Sequence, residues 1–484
     1  MLYQMKFETK TYRMLINGQL VAGAGSFEVL NPATGKRFAT APKASLEHVA
    51  SAITAAREGF KIWSKMDPSE RSLRILQAAT VMEANRTDLE YLLTKEQGKP
   101  LSSATAETNT AIELMRQAAD IELPVKHIKE TASHILQVVR KPVGVVVGIT
   151  PWNFPLSLGC GKIARAICHG NSVILKPSPF TPLTSLYLGE ILKDVFPPGV
   201  VNVVSGDDSF VGEQLVDSPD INMVSFTGSG PTGKRIMSAC AKNVTRVLLE
   251  MGGNDPAIVL PDAEISHAAK GIYAITIANS GQICCAIKRV YVHESIFDEF
   301  VETVTTLAHD TVTKIGDGLA DGVSMGPLNN HMQLDRVKEL VEDAIKHGAV
   351  VHAGGKVPAH TNPEGYFFEP TILTNVHEGM RIVDEEQFGP VIPIMKYSTE
   401  EEVIERANAS LFGLGASVWG RKAKIVNNVA TQLEAGIVWT NEHAVLREGG
   451  SFGGVKQSGF RHEGDFAEAD LESYTEIQTQ KLFK

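Results

Sequence analysis

Residues 223–243 read MVSFTGSGPTGKRIMSACAKN. A short apolar run with strand character (223–227) is followed by Gly228-Ser229-Gly230-Pro231-Thr232-Gly233 and then by a run with helical spacing. A GxGxxG turn between strand and helix lets backbone approach a phosphate and aims the free N–H groups of the helix's first turn at it. Working outward, the same alternation repeats. VVVGIT (145–150), SVILKP (172–177) and VVNVVSG (200–206) are short β-branched runs, separated by the helical stretches LGCGKIARAICHG (158–170) and TSLYLGEILKDVF (184–196). Strands alternating with helices predict a parallel sheet in a doubly wound α/β unit. After Gly253 a second alternation opens with DPAIVLP and continues to about Trp439. Before the first unit, Ser45 to Asn109 reads as helix: LEHVASAITAAREGFKIW, then a run opened by Pro68-Ser69 and closed by Gly98.

Composition bounds the function. At about 150 residues per domain, 484 residues suggest two to four domains with ample core. A hydrophobic share of 43% and a charged share of 21% are those of a globular protein and exclude disorder and collagen. Lys and Arg total 46 against 56 Asp and Glu, a net charge of −10. Without long basic runs, that balance argues against nucleic acid or a membrane surface as partner. The first 14 residues mix charges and offer no signal-peptide core. The longest apolar stretch, 143–150, falls far short of the roughly 20 residues of a membrane span. Five cysteines (160, 168, 240, 284 and 285) form an odd set without CxxC spacing. They predict no metal site and no disulfide framework, as expected of a cytoplasmic protein. Two pieces fit neither unit: TASHILQVVRKP (131–142) and LESYTEIQTQKLFK (471–484) alternate like strands, without an evident partner. They are either a local hairpin and a frayed tail, or an arm that pairs with another subunit, since isolated ribbons are marginally stable.

Several residues invite chemistry. An acid about 20 residues beyond the glycine turn commonly holds a ribose, and Glu250 stands 22 residues after Gly228. Yet its setting, VLLEMGGNDPAIVL (247–260), ends an apolar strand in a carboxylate, which is costly unless paired or employed. Cys284 and Cys285, in IANSGQICCAIKRVYV (277–292), are either inert small hydrophobes or a nucleophile and its neighbour. Asn153, in ITPWNFPL (149–156), is either a turn residue or an amide held rigid for an oxyanion. Asn153, the Lys176-Pro177-Ser178 turn, the glycine loop, Glu250 and Cys284 all fall at strand ends or in glycine turns, where open α/β sheets place ligands.

Taken in order, ITPWNFPL, KPS, FTGSGPTGK, LEMGGND, GQICCAIKR, DEEQFGPVIP and FGGVKQSG closely resemble the aldehyde dehydrogenase superfamily over essentially the whole chain, including its 34-residue gap from glutamate to cysteine. The resemblance implies an α/β fold with a Rossmann-like cofactor domain (1–123 and 142–251), an α/β catalytic domain (252–448) and a β-strand oligomerisation arm (124–141 and 463–484). That arm would join a homodimer or homotetramer. It implies Cys284 as nucleophile and Asn153, with the Cys284 backbone N–H, as oxyanion donors. Glu250 becomes the base that activates hydrolytic water, which displaces the ribose reading. Trp152, Lys176, Ser178, Gly228, Ser229, Glu386 and Phe388 would bind NAD. Many NAD-preferring members carry an acid three residues after the lysine. Pro179 stands there in this chain, so NADP is also expected.

Family positions lining the substrate funnel correspond to Phe154, Leu158, Gly161, Ile283, Leu446 and Phe452. With glycine at 161, where several members are bulky, the expectation is a wide apolar funnel for medium-chain or aromatic aldehydes. His443 and Arg447 offer the alternative of a semialdehyde dehydrogenase that holds a substrate carboxylate. Asn254 and Ser451 depart from the family pattern without a functional account. An acylating, coenzyme A-using member would commonly lack the glutamate. A catalytically idle relative serving as a structural or binding protein would show damage at Cys284, Glu250 or Asn153, and all three are intact.

Overall fold

Two twisted sheets organise the chain: the strands read in the first α/β unit lie in one, and the strand of DPAIVLP lies in the other. The computed structural model describes residues 6–207, 209–445 and 449–484. The first sheet runs, edge to edge, Gly459–Phe460, Arg246–Glu250, Met223–Thr227, Val145–Ile149, Ser172–Lys176, Val201–Val203, Met14–Ile16 and Gln19–Val21. Its five central strands are parallel, and the pairings at both edges are antiparallel. Met223–Thr227 and Ser172–Lys176 are buried at every position. That is why they read as continuous apolar runs: helices cover both faces of a parallel sheet.

Chain order reverses at Val145–Ile149. Later strands build outward on one side through Ser172–Lys176, then on the other through Met223–Thr227. The segments leaving Ile149 and Thr227 therefore diverge at the carboxyl ends of neighbouring strands, the crevice geometry of open α/β sheets. The second sheet has the order Val350–Ala353, Thr371–Thr374, Val391–Tyr397, Ile287–His293, Asp255–Val259, Gly415–Trp419 and Ile437–Thr440. Only its first pair is antiparallel.

Three local expectations change. The helical run opened by Pro68 is two helices, Pro68–Ala84 and Arg86–Gln97. Asn85 breaks it by turning its side-chain amide back onto the Val81 carbonyl at 2.8 Å, and Gly98 (φ 99°) closes the second helix. The following helix, Leu101–Ala119, extends well past Asn109. The tail is not frayed: Thr475–Phe483 pairs antiparallel with His134–Pro142 through nine residues, and His134–Pro142 pairs with Val125–Glu130. On this ribbon Val125, Ile128, Ile477 and Phe483 are exposed. Among the described residues no helix is long and apolar enough to cross a membrane.

The strand leading to Asn153 starts from a strained residue. Gly144 has φ 128°, and a Cβ there would lie 2.2 Å from Asn222 Oδ1, the atom that accepts the Val145 N–H at 2.8 Å. Gly144→Ala is expected to lower stability by about 1–3 kcal/mol, read as a lower midpoint of chemical unfolding. Gly25→Ala, where a Cβ meets nothing within 4 Å, should leave the midpoint unchanged.

Candidate active site

Asn153 sits in the loop between Val145–Ile149 and the helix Pro155–Cys168. That helix has no cap from its own N-cap residue, Phe154. Glu107 supplies the cap from the helix Leu101–Ala119, accepting from Leu156 N (2.9 Å) and Ser157 N (3.1 Å). Its other oxygen receives Lys99 Nζ in a fully buried ion pair. Lys99 also donates to the Asn153 carbonyl at 2.9 Å and lies 4.1 Å from the centre of the Phe154 ring. The Asn153 carbonyl takes a second bond from Asn279 Nδ2 (3.0 Å). The Asn153 side chain donates one N–H to the Gln282 carbonyl at 2.9 Å. A carboxamide has two N–H groups, so one is left for a ligand.

Gln282 belongs to the turn that presents Cys284. The helix Ile265–Ile277 ends in three successive left-handed residues, Asn279 (φ 49°), Ser280 (φ 58°) and Gly281 (φ 77°). Non-glycine residues in this region cost on the order of 1–3 kcal/mol each and persist only where surroundings over-determine them. Here Ser280 Oγ donates to Gly326 O (2.7 Å), Gln282 Nε2 to Asn279 O (2.7 Å), and Asn329 N to Gln282 Oε1 (2.8 Å). Beyond the turn, buried Lys288 donates to the carbonyls of Ile283 (2.8 Å) and Cys284 (2.6 Å). All five cysteines are free thiols; Cys284 is half-buried and the other four are buried.

Glu250 ends its strand buried, with Oε1 lacking any hydrogen-bond partner among the described residues. Burial, then the neighbouring Cys284 sulfur, pushes its carboxyl well above the usual carboxylate range. The Cys284 thiol is also pushed up, by the adjacent Cys285 thiol and by burial, while Lys288 pulls it back.

Of the residues expected at a dinucleotide, Gly228 and Glu386 connect to this centre through Glu250 and Lys288. Ser229 is the N-cap of Gly230–Cys240, but its Oγ turns to Thr232 Oγ1 (3.0 Å) rather than to the helix backbone. A Cβ on Gly230 would meet nothing within 4 Å, so the first-turn N–H groups stay open to a phosphate. Gly228 N donates to the Glu250 carbonyl at 3.0 Å, tying the glycine turn to the neighbouring strand. Glu386 Oε1 accepts from Gly253 N (3.2 Å) and lies 3.2 Å from Lys288 Nζ. Gly252 is needed there, because a Cβ would fall 2.0 Å from Glu386 Oε2. Phe388 (φ 51°) stands edge-on to Trp152, with ring centres 5.3 Å apart. Lys176 Nζ donates to Pro177 O (3.2 Å), and Ser178 Oγ accepts from Phe180 N (3.3 Å). An open helix N-terminus, a half-buried carboxylate and an aromatic pair fit a nicotinamide dinucleotide.

Sequence and fold comparisons show the family. The family model described as aldehyde dehydrogenase family matches residues 20–480. The chain belongs to the aldehyde dehydrogenase family. It is an oxidoreductase of that family, 37% identical over 472 residues to the succinate-semialdehyde dehydrogenase [NADP(+)] of Escherichia coli (strain K12), covering 96% of each chain. It is 36% identical over 465 residues to the 4-trimethylaminobutyraldehyde dehydrogenase of Sus scrofa, covering 95% of this chain and 93% of that one. The NAD+ complex structure of aldehyde dehydrogenase from Bacillus cereus superposes with a TM-score of 0.94 at 36% identity, covering 99% of this chain and 98% of that one.

Within this aldehyde dehydrogenase the funnel residues divide. Phe154, Leu158, Ile283 and Phe452 are half-buried, while Leu446 and Arg447 lie outside the described residues. Gly161 does not open a wide apolar recess: it is buried, and a Cβ on it would lie 2.5 Å from Arg165 Nη1, so a guanidinium fills the space. His443 is not free to hold a substrate either. Its fully buried ring lies 2.9 Å from the Cys285 carbonyl and 3.4 Å from Asp255 Oδ2, against Trp439. Asn254 gains a structural account, since its Nδ2 donates to Val383 O (2.7 Å) and braces the segment leading to Glu386. Lys99, Glu107, Gln282, Lys288 and Arg165 went unassigned in the sequence. The one signal pointing to them was a lysine placed inside an apolar stretch, as in GQICCAIKR.

Removing one partner of a buried ion pair strands the other charge, at a cost of about 3–5 kcal/mol. Glu107→Leu alone should therefore destabilise the protein by roughly that amount and lower turnover by loosening Asn153. Lys99→Met/Glu107→Leu should be less destabilised than the single variant, as measured in a double-mutant cycle of unfolding midpoints.

Proposed function

We propose that this chain oxidises an aldehyde to the carboxylic acid with NAD(P)+ through a thioester on Cys284, without coenzyme A. The reading is carried by one convergence: the Glu250 carboxyl neighbours the Cys284 thiol and keeps Oε1 without a hydrogen-bond partner among the described residues, while Asn153 is tied through Gln282 to the turn that presents Cys284. A flat aldehyde carbonyl does not release hydride readily. Addition of the Cys284 thiolate makes it tetrahedral and puts negative charge on oxygen. Asn153 Nδ2–H and the Cys284 N–H meet that charge, their positions held by Gln282, Lys99 and Lys288. When bound, the dinucleotide supplies the hydride acceptor. Lys176, Ser178, Gly228, Ser229 and Glu386 would hold it, with Phe388 and Trp152 beside its nicotinamide. Collapse of the tetrahedral species leaves the acyl group on Cys284 as a thioester. Glu250 then removes a proton from the water that attacks it, releasing the acid and restoring the thiol. The apolar, half-buried Phe154, Leu158, Ile283 and Phe452 suit a medium-chain or aromatic aldehyde body. The exposed apolar residues of the 125–142 and 475–483 ribbon support a homodimer or homotetramer formed through that arm.

Cys284→Ala should abolish reduced-nicotinamide formation without coenzyme A, and Asn153→Ala should slow it about 100- to 1,000-fold. Glu250→Gln should give a burst of reduced nicotinamide matching the active sites, followed by slow turnover as thioester accumulates. Both Cys284 and Glu250 must lose a proton to act, and both are held above their ordinary values. Activity should therefore rise toward alkaline pH; a flat profile contradicts these assignments.

Pro179 leaves no carboxylate to accept the adenosine ribose or to repel a 2′-phosphate. Catalytic efficiencies with NAD and NADP are expected to lie within about two orders of magnitude of each other. A thousandfold preference either way would overturn weak discrimination.

A further inference from the structure

Phe154, Leu158, Gly161 and Arg165 are spaced by four, three and four residues, which places them along one stripe of the helix that begins beside Asn153. The first two are apolar and half-buried. At Gly161, about 9 Å along the axis, the stripe has no side chain of its own, and Arg165 reaches back to fill the gap. Its Nη1 lies 2.5 Å from where a Gly161 Cβ would stand, and its Nη2 lies 3.3 Å from the corresponding point on Gly464. The Phe452 Cβ is 3.8 Å from that same point, so the guanidinium and Phe452 both approach Gly464.

Arg165 is 9% exposed, and a guanidinium that deeply placed normally spends its five N–H donors. This one does not. Nε is buried without a hydrogen-bond partner; the side chain forms an ion pair with Asp470 (Nε to Oδ2, 3.5 Å), lies on the face of Phe466 (5.3 Å) and is balanced electrostatically by Glu463 and Asp470. The nearby carboxylates are engaged elsewhere. Asp470 accepts from Gly464 N (3.0 Å) and Phe466 N (2.8 Å), while Glu463 accepts from Tyr474 Oη (3.0 Å) and lies 3.7 Å from Lys162 Nζ. They offset the charge of Arg165 yet leave the planar Nη fork unused, and such a fork matches an oxyanion bidentately.

Resting on the aldehyde-oxidising reading above, we propose that Arg165 is the specificity residue of this active site and binds a carboxylate or similar oxyanion at the far end of the aldehyde. The funnel is then apolar along its length and cationic at its end. Arg165 takes the part that the sequence offered to Arg447 and His443.

The test compares ω-carboxyaldehydes of increasing length with their methyl esters, using the full-length wild type, Arg165→Met, Arg165→Lys and Gly161→Ala. Wild type should prefer the carboxylates. Arg165→Met should lower kcat/KM for them about 10- to 100-fold, chiefly through KM, with the esters little changed. Arg165→Lys should keep part of the preference. Gly161→Ala, whose new methyl displaces the fork while the charge stays, should lose preference in the same direction. Calorimetric binding of a dicarboxylate and its monoester gives a readout that needs no turnover. Equal effects of Arg165→Met and Gly161→Ala on acids and esters, or dicarboxylate binding unchanged by them, overturn the assignment. Dicarboxylate binding that depends on Arg165 while no aldehyde is oxidised upholds it and overturns the oxidation reading instead.

Discussion

A buried ammonium has three N–H donors, and Lys288 has three acceptors: the carbonyls of Ile283 and Cys284 and the carboxylate of Glu386. Burying such a charge is expensive unless every donor is matched, so the arrangement is rigid. Two of its partners belong to the turn that carries the thiol, and the third belongs to the segment where a nicotinamide ribose is proposed to sit. Lys288 thus fixes the distance between nucleophile and cofactor site without touching a reactant. It also lowers the cost of ionising Cys284, opposing burial.

Lys99 repeats the device on the other side of the cleft. It holds the Asn153 carbonyl while its partner Glu107 caps the helix that follows. Both proposed oxyanion donors are consequently positioned through backbone carbonyls gripped by buried cations. The atoms left unsatisfied, Glu250 Oε1 and Asn153 Oδ1 among them, each carry a penalty of about 1–3 kcal/mol. Such a penalty is tolerable where a ligand or water completes the set.

The central strands of the first sheet were legible because parallel strands buried on both faces must be continuously apolar, as SVILK and MVSFT are. The glycine loop was legible because Gly230 leaves open space that any side chain would fill. What escaped depends on contacts distant in sequence. Thr475–Phe483 finds His134–Pro142 more than 300 residues away, and nothing local marks the match. The gap at Gly161 reads as room until Arg165, one helical turn on, is seen to occupy it. His443 reads as a loop residue until Asp255 and Trp439 enclose it. Asn85 breaks its helix by a side-chain bond whose alternatives are equally polar.

The order in which the sheets close has a consequence for synthesis. Arg246–Glu250 gains its outer neighbour only when Gly459–Phe460 appears, and His134–Pro142 waits for Thr475–Phe483. At about 5–20 residues per second on the ribosome, the interval between the first pair is on the order of 10–40 s. Throughout it the strand that ends in Glu250 is an open β edge, a template for pairing with other nascent chains. A chain cut short before residue 459 would keep that edge permanently, making premature termination an aggregation hazard as well as a loss of activity.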